Sequence, residues 1–155
     1  MKKNVIGLIL ALCVAALPLS AVAAEQGSMQ NMKGMSGMSA PGQLVTIGSQ
    51  TVDGVTATAK IKDIRAAMAK YGSDMTNHLM VYFTNVKTSA PMTGIAAVKV
   101  TAPDSVTGAP VKFMSMGDGF GHDVSLKEKG EYTFEIGCKL NDGHKRQFYF
   151  KYVVK

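Results

Sequence analysis

The chain has 155 residues, with 17 Lys and Arg against 11 Asp and Glu, 46% apolar residues and no tryptophan. Its basic residues are scattered and do not interleave with aromatic ones, which argues against a nucleic-acid platform. The length fits one ordinary domain with a single core, and no period of about 20 to 50 residues repeats, so solenoids and propellers drop out.

Residues 1–24 read as a secretory signal peptide: Lys2 and Lys3 start it, an apolar run from Val5 to Leu17 follows, and small residues surround Ala21 to Ala24. The run is shorter than the roughly 20 residues that cross a bilayer, so no membrane span is expected in the mature protein. Cys13 follows Leu12, where lipoprotein processing wants a small residue. Loss of Lys2 and Lys3 leaves 15 basic against 11 acidic residues, a net charge of +4. A periplasmic or secreted location follows. With Cys13 in the leader, Cys138 has no partner for an internal disulfide, and its parity with Ile136 and Leu140 turns it inward as a small hydrophobe.

Residues 25–42, EQGSMQNMKGMSGMSAPG, contain no aromatic or β-branched residue and read as a flexible methionine-rich tail. From residue 43 onward, β-branched and aromatic residues alternate with polar ones between closely spaced turn signals, the pattern of an all-β domain over 43–155. Leu44 to Val52 and Val55 to Asp63 form a predicted hairpin about Asp53-Gly54. Arg65 to Lys70, followed by Tyr71-Gly72, predicts the one short helical turn.

Next comes a strand over Asn77 to Asn85, with Leu79, Val81 and Phe83 on one face and His78, Met80 and Tyr82 on the other. Further strands are predicted over Ile95 to Thr101, Val111 to Met116, Phe120 to Leu126 and Glu131 to Leu140. Asn141-Asp142-Gly143 turns the chain into a last strand carrying Phe148, Phe150, Tyr152 and Val154 on one face. Seven to eight short strands with one helical turn predict an antiparallel β-sandwich of immunoglobulin-like topology, with a small barrel as the alternative.

Met29, Met32, Met35 and Met38 stand three apart in a segment with no core to pack into. Thioethers are soft neutral ligands that suit Cu(I) and hold Mg²⁺ or Ca²⁺ poorly, and they need no deprotonation. The competing reading is a hydrophilic tail with incidental or oxidant-scavenging methionines. In the domain, strand parity puts His78 with Met80 and Met114 with Met116, and the Gly117-Asp118-Gly119-Phe120-Gly121 loop can fold His122 beside Met116. These five side chains form a candidate Met/His metal site, with Met75 as a possible addition. Taken singly, each has a plainer reading as core filler or loop residue. His144 sits in a turn and reads as solvated.

The run His78-Leu79-Met80-Val81, the strand end Met114-Ser115-Met116, Gly119-Phe120-Gly121-His122-Asp123 and Gly130-Glu131-Tyr132-Thr133-Phe134 resemble the small periplasmic copper-binding β-sandwich proteins. Among these are YtkA-like and CopC-like domains and the copper-binding sandwiches of bacterial iron uptake. The likeness runs over about residues 76–155 and implies an immunoglobulin-like sandwich whose Met and His residues hold copper at one end. The N-terminal histidine of the CopC type is absent here, and Met80 stands where the iron-uptake group has an acidic ligand beside the histidine. Both departures move the expectation from Cu(II) toward Cu(I).

No nucleophile elbow, phosphate loop, zinc-protease helix or Cys-x-x-Cys pair is present, so an enzyme is not expected. The leading expectation is a copper-binding protein for carriage, delivery or tolerance, with an envelope protein as copper donor or acceptor. The alternative is a non-metal interaction module in which the methionine tail is incidental.

Overall fold

The computed structural model describes residues 42–155. The predicted leader, residues 1–24, and the methionine-rich segment up to residue 41 lie outside the described residues. Nine strands occur among the described residues: β1 (Leu44–Val52), β2 (Val55–Asp63), β3 (Asn77–Asn85), β4 (Gly94–Thr101), β5 (Val111–Lys112), β6 (Met114–Met116), β7 (Gly119–Val124), β8 (Gly130–Leu140) and β9 (Lys145–Val154). They form a five-stranded sheet of order β1-β2-β3-β7-β6 and a four-stranded sheet of order β5-β4-β8-β9. Leaving β1 aside, this is the ABED and C′CFG arrangement of an immunoglobulin-like sandwich. No helix among the described residues is long and apolar enough to cross a membrane.

The turns follow from residues that tolerate positive φ. Asp53 at +45° and Gly54 at +73° close the β1–β2 hairpin. The helical turn is α1 (Arg65–Met68) continued by a 3-10 turn over Ala69–Tyr71, and it ends at Gly72 in the left-handed conformation. One predicted strand is corrected. Val111 to Met116 is not continuous, because Phe113 is buried in the core and the chain passes from one sheet to the other around it, leaving β5 and β6 on different sheets. That crossing raises the strand count to nine.

The core lies between the inner faces, where Leu79, Val81 and Phe83 of β3 meet Phe134, Ile136 and Phe148 from β8 and β9. Phe83 stands at its centre, edge-on to Phe120 at 5.5 Å and tilted against Phe148 at 5.6 Å between ring centroids. Near the start of β8, the Glu128 N–H donates to the hydroxyl of buried Tyr132 at 2.9 Å. This is the tyrosine corner that fixes the entry to strand F in such sandwiches. Cys138 is buried as its parity predicts, and that burial pushes its thiol pKa up.

Candidate metal centre

In an antiparallel pair, directly opposed residues project from the same face, so the register decides which side chains meet. Three rows cross the outer face of the five-stranded sheet. Lys62, His78 and Asp123 make one row, and Lys60, Met80, Gly121 and Met114 make the next. In the third, Thr58, Tyr82, Gly119 and Met116 stand together. Met80 and Met114 thus flank Gly121 from opposite sides, and His78 stands one step along β3 from Met80 on the same face.

Gly121 is the floor of the arrangement. A Cβ on this residue would lie 2.7 Å from Met80 Sδ, 2.7 Å from Met116 Sδ and 2.9 Å from His78 Nε2. Two thioether sulfurs and one imidazole nitrogen therefore converge on the one spot that the missing side chain leaves open. Small rotations bring such donors to the roughly 2.0 to 2.3 Å of nitrogen and sulfur ligands. Met80 is buried although it faces outward, Met116 is half-buried, and the His78 side chain keeps 22% of its surface exposed. The spot is walled yet reachable from solvent.

The His78 ring is held by two contacts. Its Nδ1 lies 2.5 Å from Asp123 Oδ1, and its Nε2 lies 3.1 Å from Met80 Sδ. An ionised carboxylate only accepts hydrogen bonds, so Nδ1 carries the proton and, in the neutral ring, the Nε2 lone pair is turned toward the sulfurs. Asp123 is the residue that sequence reasoning missed. Its parity with Gly121 was visible, but only the β3–β7 register shows that it stands opposite His78.

Several expected ligands fall elsewhere. His122 shares its face with buried Phe120 and Val124 and stands opposite Leu79, on the core side of the sheet, so it is separated from His78 by the sheet itself. Met114 lies on the correct face but is 60% exposed, and its sulfur is not among the three atoms nearest the Gly121 position. Met75 precedes β3 and likewise is not one of those three. The cluster occupies the outer face of one sheet, not the end of the sandwich. Met29, Met32, Met35 and Met38 lie outside the described residues. His144 is exposed in its turn, as read from the sequence.

Among the described residues, no three or more His, Cys, Asp or Glu side chains gather where they can hold a metal ion. The candidate donors are instead one imidazole and two thioethers, all of them uncharged when the ring is neutral. The flanking Lys60 and Lys62 add positive charge beside it, and the Lys60 ammonium lies 5.1 Å from the Tyr82 ring centre. No family model matches the chain, and no curated protein matches it.

Proposed function

We propose that this protein is an exported Cu(I)-binding sandwich that carries, delivers or sequesters copper in the periplasm. The observation that carries the reading is the convergence of His78 Nε2, Met80 Sδ and Met116 Sδ over Gly121. Neutral soft donors stabilise a monovalent soft ion, whereas nearby lysines raise the cost of a divalent one. The predicted signal peptide and the resemblance carried by residues 76–155 point the same way. The half-open setting suits a protein that takes its ion from one envelope partner and yields it to another, a role without catalysis.

The test is a Cu(I) titration of the exported protein against a chromophoric chelator, alongside a His78→Ala, Met80→Leu variant. The expected result is one tightly held equivalent that the variant loses. Equal uptake by both proteins removes the sandwich site from the proposal.

A second reading is favoured by a different surface. On the outer face of the four-stranded sheet, a trough of about 700 Å³ has Ile95, Ala97 and Gly137 in its lining, with Lys112, Lys139 and Lys145 around them. Lys139 and Lys145 are directly opposed, and no salt bridge engages them among the described residues. Opposed like charges cost stability, which fits an interaction module whose partner is acidic. In that reading the chain competes with no chelator for Cu(I), and Lys139→Glu with Lys145→Glu abolishes partner binding.

A further inference from the structure

Gly137 stands in the middle of β8, on the outer face of the four-stranded sheet, at a point where the fold gives no reason for glycine. It pairs with Ala97 on one side and Gln147 on the other in regular register, and its φ is not positive. A Cβ added there meets nothing within 4 Å, whereas at Gly121 three side chains would crowd it. Glycine here therefore costs strand stability and leaves open space. A strand-interior glycine without a bulge marks a place where a ligand or another backbone comes close.

That open space belongs to the trough, with Ala97 beside Gly137 and exposed Ile95 as its apolar neighbours. Lys139 and the opposed Lys145 lie two residues along from the Gly137 row, about 7 Å away. Lys112 pairs with Ala97 and stands two strands from Gly137, about 10 Å away. All three lysines are exposed, and none enters a salt bridge among the described residues. Elsewhere on the same face the lysines are matched: Lys99 Nζ lies 2.8 Å from Glu135, and Lys151 Nζ lies 2.7 Å from Glu131. Uncompensated positive charge on this face thus gathers around the one glycine-floored opening. A second copy of the chain, equally basic there, would be repelled.

We infer that the trough receives an acidic segment of a partner protein, with one apolar side chain seated over Gly137 and separate carboxylates meeting Lys112 and the Lys139–Lys145 pair. This rests on the acidic-partner reading above and specifies what fills the trough. Cations on two sides of the opening suit carboxylates spaced along a peptide better than a single compact anion. A carboxylate between Lys139 and Lys145 relieves their repulsion, and the apolar side chain displaces water from an apolar floor. The inference needs no metal and is compatible with copper over Gly121. The two sites lie on outer faces of different sheets, so a partner seated here leaves His78, Met80 and Met116 uncovered.

Fluorescence anisotropy with a labelled Glu-Glu-Leu-Glu-Glu peptide tests this on the full chain. Saturable binding is expected, weakened about tenfold or more by Lys139→Glu with Lys145→Glu. Gly137→Leu fills the opening without changing charge and should weaken it about tenfold, as should a peptide with glycine in place of its leucine. The peptide change leaves the protein unaltered, so the test does not depend on how the variant folds. Lys70→Glu with Lys129→Glu makes the same charge change at exposed residues outside the trough and should leave binding nearly unchanged. An equal loss in that variant reduces the effect to net charge and overturns the trough. If the Lys139 and Lys145 variant loses binding while Gly137→Leu and the leucine-free peptide bind as before, the acidic-partner reading stands and the seated side chain is overturned. No binding by the unaltered chain overturns both, and capture by phosphatidylglycerol vesicles instead of the peptide assigns the lysines to a lipid surface and also overturns the proposal.

Discussion

His78 and Asp123 face each other across the β3–β7 pair, Nδ1 to Oδ1 at 2.5 Å. The contact aims Nε2 at Met80 Sδ and fixes which ring nitrogen is available as a ligand. A histidine on an outer sheet face otherwise samples several rotamers, so the carboxylate pre-arranges the donor.

Under the proposed copper reading, removal of that carboxylate is expected to weaken Cu(I) binding without unfolding the domain. Asp123→Leu should lower affinity by about 10- to 100-fold, the loss that follows removal of an orienting partner from a metal-bound histidine. Asp123→Asn keeps an acceptor oxygen and should lose less. Chelator competition gives the affinity, and thermal unfolding checks the fold.

Gly121 gives a sharper test. Alanine there places a methyl group within 3 Å of all three donor atoms. Each neighbour is the far end of a flexible side chain, so the sheet should still form while the donors are pushed apart. We expect Gly121→Ala to abolish tight Cu(I) uptake, with circular dichroism unchanged. Undiminished uptake places the ion somewhere else.

The roles of the remaining candidates separate by face. Met116→Leu keeps volume and removes a sulfur, and should reduce Cu(I) affinity through loss of one soft donor. His122→Ala should leave uptake unchanged, because that ring stands on the core side beside Leu79. A loss of copper in the histidine variant at full stability contradicts the face assignment.

A fourth prediction concerns acid stability. The Arg146 side chain, buried at 4% exposure, donates from Nη1 and Nη2 to the Asp142 carboxylate at 3.1 and 2.6 Å, and from Nη2 to the Asp53 carbonyl at 3.1 Å. It thereby ties together the β1–β2 and β8–β9 turns. The Arg146 hydrogen bonds hold the Asp142 carboxyl at about 2, below its ordinary 3.8. A carboxylate with a depressed folded value contributes its stability above the unfolded value and loses it as pH falls through the folded one. The contribution is thus full above about pH 4 and gone near pH 2. Asp142→Asn should melt several degrees lower at pH 6, with the difference shrinking through that window. A constant difference down to pH 2 assigns the loss to packing instead of charge.

The sandwich was legible because its signals are local. Asp53-Gly54 and Asn141-Asp142-Gly143 marked the hairpins, and the alternation of Tyr132, Phe134, Ile136, Cys138 and Leu140 marked the inner face of β8. Val111 to Met116 was misread as one strand because alternation cannot show that a buried Phe113 carries the chain from one sheet to the other. His122 was misplaced for a related reason. A glycine-rich stretch from 117 to 121 suggested a folded-back loop, whereas residues 119–124 extend as β7 and commit His122 to the core side.

By itself the amino-acid sequence determined the parity of His78 with Met80 and of Met114 with Met116, since a strand alternates faces with a period of two residues. Which strands are neighbours, and in what register, belongs to the whole chain packing around one core. Only the tertiary structure decided that β7 runs between β3 and β6, that Gly121 stands opposite Met80, and that Asp123 faces His78. The cluster exists because hydrogen-bonded pairing fixes those rows while glycine leaves the space between them unfilled, and neither condition is written in any short stretch of sequence.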